Sequence, residues 1–198
     1  MWGTSSRLLL APAFALALAS CCPPFCPPPR VKCVNFGPPP AALTEYGTPA
    51  GQSPGALAFT QSGIPVRVDT FTWGGGGTTF GSARVETATA AFGSGQVVRS
   101  NNIDLVFDLA AAPGPVVTFA FLDLGGIENL TVNGVRHVGE LTAAPASLGG
   151  VTVTSAVTPV QGGKRGKVTL AGNVQKLGIG GQELWLDDVC VGEVSGPR

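Results

Sequence analysis

From Val31 onward apolar and polar positions alternate in short runs separated by Gly, Pro and Asn, which is the pattern of strands with one buried face. The clearest runs cover 31–36, 56–60, 66–72, 83–87, 103–109, 116–124, 129–132, 135–140, 151–157, 167–170, 174–179 and 183–191. In 103–109, Ile103, Leu105, Phe107 and Leu109 share one face while Asp104 and Asp108 share the other, so the aspartates are expected outward. The run 116–122 is apolar on both faces and belongs in the middle of a sheet. Asn133-Gly134, between 129–132 and 135–140, predicts a tight hairpin.

The last run, 183–191, organises the rest. Strict alternation would place Cys190 on the face of Leu184 and Leu186. A bulge at Asp187-Asp188 shifts the parity, so that Leu184, Leu186, Val189 and Val191 face inward while Trp185 and Cys190 face outward. In the first run Val34 and Phe36 share one face and Cys33 takes the other. Both cysteines then lie on outer faces, which suits a Cys33–Cys190 bridge between neighbouring strands. The expected fold is all-β: a two-sheet antiparallel β-sandwich of jelly-roll type with adjacent first and last strands, since the strands are too many for a seven-stranded immunoglobulin domain.

Composition agrees. The chain has 198 residues, 44% hydrophobic and only 12% charged, with 29 Gly and 17 Pro, which predicts one domain of short elements and frequent turns. Its formal charge is zero, which argues against a nucleic-acid partner.

The beginning of the chain carries the clearest functional signal. Arg7 precedes an apolar run of 12 residues, 8–19, too short to span a membrane as a helix and laid out as an export signal. Leu18-Ala19-Ser20-Cys21 resembles a bacterial lipobox, whose cysteine is lipidated and becomes the first residue of the mature lipoprotein. Ordinary cleavage after Ala17-Leu18-Ala19 is the alternative. The resemblance implies a membrane partner through lipid on Cys21 and an exported protein held on the bacterial envelope, at the outer membrane or cell surface. Lipid on Cys21 leaves four cysteines, which can pair fully as Cys33 with Cys190 and Cys22 with Cys26, although Cys26 can compete for Cys33. The expected organisation is a signal peptide over 1–20, a Pro/Cys-rich tether over 21–31, the sandwich over 32–194 and a tail over 195–198. The prolines of the tether favour an extended spacer of roughly 3 Å per residue.

The closing Glu183-Leu184-Trp185-Leu186-Asp187-Asp188-Val189-Cys190-Val191 resembles the last strand of jelly-roll domains of the galactose-binding or carbohydrate-binding-module type. The resemblance implies glycan binding, and a structural calcium held by a carboxylate after the first strand together with one in the last. Asp187 or Asp188 would fill the second role. Phe36 is followed by Gly37-Pro38-Pro39-Pro40, so the nearest acid for the first role is Glu45.

Candidate chemistry is sparse. The single histidine, His137, sits two residues past a turn and is expected to be a solvated hairpin residue; no zinc cluster can be assembled around it. A glycosidase would need two facing carboxylates from Asp69, Glu86, Asp104, Asp108, Asp123, Glu140 and Glu183, and spacing alone does not select a pair. The four glycines of Trp73-Gly74-Gly75-Gly76-Gly77 lack phosphate-loop spacing. Beside them, Arg67, Asp69, Phe71 and Trp73 alternate with Val66 and Val68, which predicts an outward row able to hold a sugar by ring stacking and hydrogen bonds, with Trp185 as a further contact. Packing of Phe71 and Trp73 over the end of the sandwich is the competing expectation. Gly162-Gly163-Lys164-Arg165-Gly166-Lys167 reads as a solvated basic hairpin tip, and Asn129-Leu130-Thr131 as an accidental glycosylation match. The reading favoured by the sequence is a non-catalytic module for a glycan or surface protein, with a structural or adhesive envelope protein and a glycoside hydrolase as the other classes.

Overall fold

A computed structural model describes residues 31–89 and 92–192. The expected signal segment, Cys21, the tether up to residue 30 with Cys22 and Cys26, and the tail 195–198 lie outside the described residues. Among the described residues there is no α-helix. The strands are β1 (Lys32–Val34), β2 (Glu45–Gly47), β3 (Leu57–Gln61), β4 (Ile64–Thr72), β5 (Thr78–Thr79), β6 (Ser82–Thr89), β7 (Phe92–Asn101) and β8 (Ile103–Asp108). They continue as β9 (Val116–Asp123), β10 (Glu128–Val132), β11 (Val135–Val138), β12 (Ser147–Leu148), β13 (Val151–Val160), β14 (Gly163–Ala171), β15 (Lys176–Gly181) and β16 (Leu184–Gly192).

They form two antiparallel sheets packed as a sandwich. The first has the order β12-β13-β14-β9-β16-β7-β6-β2 with β1 also on β16; the second has the order β11-β10-β15-β8-β4-β3 with β5 on β4. The chain passes repeatedly from one sheet to the other, as in a jelly roll, and its first and last strands are neighbours. The inner faces meet in one core. Phe119 and Phe121 of β9, Leu184 and Leu186 of β16, Ile103, Leu105 and Phe107 of β8, and Leu177 and Ile179 of β15 all belong to it. Each such side chain contributes about 1.5–3 kcal/mol by leaving water.

The bulge in the last strand lies where the pattern of residues demands it. The register of β16 against β9 shifts between Asp187 and Cys190, and Asp188 adopts φ 49°. As a result Leu186 and Val189 are both buried in the core while Trp185 and Cys190 point the other way. Cys190 is the register partner of Cys33, and the two form the disulfide. It closes a separation of 157 residues, worth about 5 kcal/mol in the chain-entropy treatment. The hairpin at Asn133-Gly134 also forms, both residues having positive φ.

Four strands are additional to the expected set: β2, β5, β12 and the ten-residue β7. The first three are two or three residues long. In β7 the segment Gly93-Ser94-Gly95 hides the alternation, and the physical reason lies in β16. A Cβ on Gly93, whose φ is 80°, would meet Val97 Cγ1 at 2.4 Å and Asp187 Oδ2 at 3.0 Å, so glycine lets β7 pass over the bulge. A second departure concerns Asp104. It occupies the outer face as alternation requires, yet it is fully buried, because Arg136 from β11 lies across it.

Candidate functional site

The outer face of the first sheet carries a second apolar cluster, separate from the core. Phe92, Val97 and Leu122 are buried in it, with Leu124, Val160 and Trp185 packed against them. Register explains how residues so distant in sequence meet. Arg165 of β14 pairs with Leu122 of β9, Leu122 with Trp185 of β16, Trp185 with Arg99 of β7, Arg99 with Arg84 of β6, and Arg84 with Glu45 of β2. One row of side chains therefore crosses six strands, a span of roughly 24 Å at 4.8 Å per strand.

A cleft of about 410 Å³ opens over the middle of this row, with Phe92, Val97, Leu122 and Trp185 as its apolar walls and Glu86, Thr87 and Gln161 as its polar ones. Trp185 is held at three points. Its Nε1 donates to Glu86 Oε2 at 2.9 Å, the Arg99 guanidinium lies 5.0 Å from its ring centroid, and its backbone is paired on both sides. A smaller polar pocket of about 160 Å³ adjoins through Glu86, lined also by Arg84, Arg99, Asn101 and Glu45. On the other flank a shallow depression of about 390 Å³ shares Phe92 and reaches Arg165 and Lys167. The arrangement sets an aromatic wall beside hydrogen-bonding groups of both signs.

The expected sugar platform on β4 is not available. Phe71 is fully buried and Trp73 packs edge-on against it, ring centroids 5.2 Å apart at 86°. The Trp73 indole donates to Thr79 Oγ1 at 2.7 Å, and the glycine loop closes on itself through Trp73 N to Gly77 O and Gly76 N to Trp73 O. Arg67 donates to the Gly55 carbonyl and Asp69 accepts from Thr70 N. Phe71 and Trp73 therefore follow the packing expectation, and of the five proposed ligand contacts only Trp185 lines the cleft.

The three carboxylates proposed for calcium are not brought together. Glu45 sits three strands from Trp185 along the register, about 14 Å away. Asp187 is buried and already committed: its Oδ2 accepts from Ser94 N at 3.0 Å and its Oδ1 from Asp188 N at 2.8 Å. Burial raises its pKa against the lowering effect of the Ser94 amide. Asp188 is exposed at the bulge. These donors do not fit one ion, and the described residues hold no group of three or more His, Cys, Asp and Glu suited to a metal.

Two polar knots lie elsewhere. On the second sheet, Asp104 stands directly opposite Asp69 on one side and Gly180 on the other. A Cβ at Gly180 would fall 2.2 Å from Asp104 Oδ1, so the carboxylate occupies the space that glycine leaves. Arg136 bridges this region: Nη2 approaches Asp104 Oδ2 at 3.1 Å, Nε donates to Thr131 Oγ1, and Nη1 donates to Thr72 Oγ1. Burial pushes the Asp104 pKa up to about 7, with Arg136 opposing and Asp69 adding to the rise. Near the ends of β9 and β14, Lys164 bridges Asp123 and Glu140 at 3.4 and 2.5 Å, so this part of the basic hairpin is engaged rather than simply solvated. Beside it Glu128, which the sequence pattern did not single out, is buried and pushed up to about 8 by burial and then by Asp123. His137 is a partly exposed hairpin residue whose Nε2 lies 3.0 Å from the Glu140 carbonyl.

Arg99, Phe92 and Val97 were missed with β7, and Leu122 was legible only as strand interior. The one available signal was the alternation in Val97-Val98-Arg99-Ser100-Asn101, which follows a glycine-rich start. No family model, curated protein or solved structure matches the chain.

Proposed function

We propose that this protein is an exported, lipid-anchored, non-catalytic binding module that takes a glycan in the cleft centred on Trp185. The observation that carries the reading is an indole ring fixed by Glu86 and Arg99 at the wall of a cleft of about 410 Å³ on an outer sheet face. An outward apolar cluster costs solubility unless something covers it, and a pyranose ring matches it, with C–H groups against the indole and hydroxyls toward Glu86, Thr87 and Gln161. Lipid on Cys21 followed by the proline-rich segment would hold the domain at a distance from the membrane.

Two measurements test the proposal. On a glycan array, Trp185→Ala is expected to lose about 1–3 kcal/mol of binding, roughly fivefold to 150-fold in affinity. No binding by the wild type, or binding untouched by the substitution, refutes the site. Metabolic labelling with a lipid precursor is expected to mark the wild type and leave Cys21→Ser unmarked; equal labelling of both removes the anchor from the proposal.

A further inference from the structure

The polar end of the cleft narrows the class of glycan. Arg84 and Arg99 are register partners on adjacent antiparallel strands, on the same outward face, and both line the pocket of about 160 Å³. Like charges set directly opposite in a sheet repel one another, and proteins normally place a counter-charge between them. Neither arginine forms an ion pair with a described residue. Two acids, Glu86 and Glu45, share the pocket, but neither lies within ion-pair distance of either arginine. Glu86 is hydrogen-bonded to the Trp185 indole, and Glu45 stays outside ion-pair distance of Arg84 although it is the next residue in the row. Arg99 stacks on Trp185, yet its Nε is buried and has no acceptor. A buried donor without a partner is costly, so the Arg99 guanidinium is held beside Trp185 without a full set of protein acceptors. Guanidinium groups suit a planar oxyanion because their N–H donors form a fork matching its two oxygens.

We propose that Arg84 and Arg99 together bind an oxyanion carried by the glycan, so that the module selects acidic polymers, a carboxylate-bearing sugar sitting next to the one stacked on Trp185. The inference rests on the glycan reading of the same cleft and adds its charge. Spacing supports it: Trp185, Arg99 and Arg84 are consecutive in one cross-strand row, each step about 4.8 Å, close to the length of one sugar unit in an extended chain.

The test compares matched polymers that differ only in charge, by affinity electrophoresis and titration: polygalacturonate against its methyl ester, and carboxymethyl-dextran and dextran sulfate against dextran. The expected result is at least tenfold tighter binding of a carboxylated polymer than of its neutral counterpart. Arg84→Gln should lose that preference, whereas Arg84→Lys should keep part of it. Lys176→Gln, an exposed charge on the other sheet, controls for general attraction and should change little. Preference for dextran sulfate alone would assign the oxyanion to sulfate and overturn the carboxylate assignment. Equal binding of charged and neutral polymers, or equal effects of Arg84→Gln and Lys176→Gln, overturns the anion site. The cleft itself survives that outcome if Trp185→Ala still weakens binding, and falls with it if no polymer binds the wild type.

Discussion

Trp73 and Trp185 make an instructive pair, because both are half-buried, both lie in or beside strands and both have their indole N–H satisfied, by Thr79 and Glu86 respectively. They differ in what surrounds the ring. Trp73 spends its surface on a fully buried Phe71 and on a glycine loop that folds back onto its own backbone, so the chain fills its own space there. Trp185 instead borders an open cleft whose other walls come from β6, β7, β9 and β13. Aromatic character is the same at the two places. Whether it serves packing or recognition is decided by the volume left beside it, which depends on strands far apart in sequence.

The comparison can be broken most directly at Phe71. Phe71→Ala removes a fully buried ring from the self-filled side and is expected to cost about 3–5 kcal/mol of stability by urea denaturation, leaving glycan affinity per folded molecule unchanged. Trp185→Ala should show the reverse weighting, with a smaller stability change and a large loss of binding. If Phe71→Ala abolished binding in a protein that remained as stable as wild type, the two sides would have been assigned the wrong way round.

Most of the sandwich was readable because alternation is a local signal. Leu184, Leu186, Val189 and Val191 could all face inward only with a bulge at Asp187-Asp188, and that requirement sufficed to place Cys190 and Trp185 outward. The cleft was not readable. Glu86 reaches Trp185 across 99 residues, and Arg99 comes from the strand whose glycines concealed it. For Phe71, alternation with Val66 and Val68 suggested exposure, but a period of two says only which side a residue faces, not what later folds over that side. The same limit explains Asp104. Its outward position followed from Ile103, Leu105 and Phe107, while its cover, Arg136, arrives through the order β8-β15-β10-β11, which no local pattern encodes.

That cover gives a smaller effect with a definite sign. Asp104 has its pKa raised to about 7 by burial, against an ordinary value of 3.8, so between these limits the folded protein holds a proton that the unfolded chain has released. Its contribution therefore favours the fold at low pH and is lost as pH rises through about 7, the opposite of a carboxylate stabilised in its charged form. From pH 5 to pH 8 the loss from this group is about 2–3 kcal/mol, at roughly 1.4 kcal/mol per pH unit over the part of the range where only the unfolded chain is ionised. Glu128, raised to about 8, adds to the same trend, so the wild type has a second contributor that a change at Asp104 leaves in place. Asp104→Asn keeps the size of the side chain beside Gly180 and carries no charge at any pH. Urea denaturation at pH 5 and pH 8 should show a shallower fall in stability for Asp104→Asn than for wild type, by about that 2–3 kcal/mol. Glycan affinity at the cleft proposed on the other sheet should have the same pH profile in both proteins. An unaltered stability slope would mean that the carboxyl beneath Arg136 is already ionised across this range, and that the second sheet is held by an ion pair rather than by a buried acid.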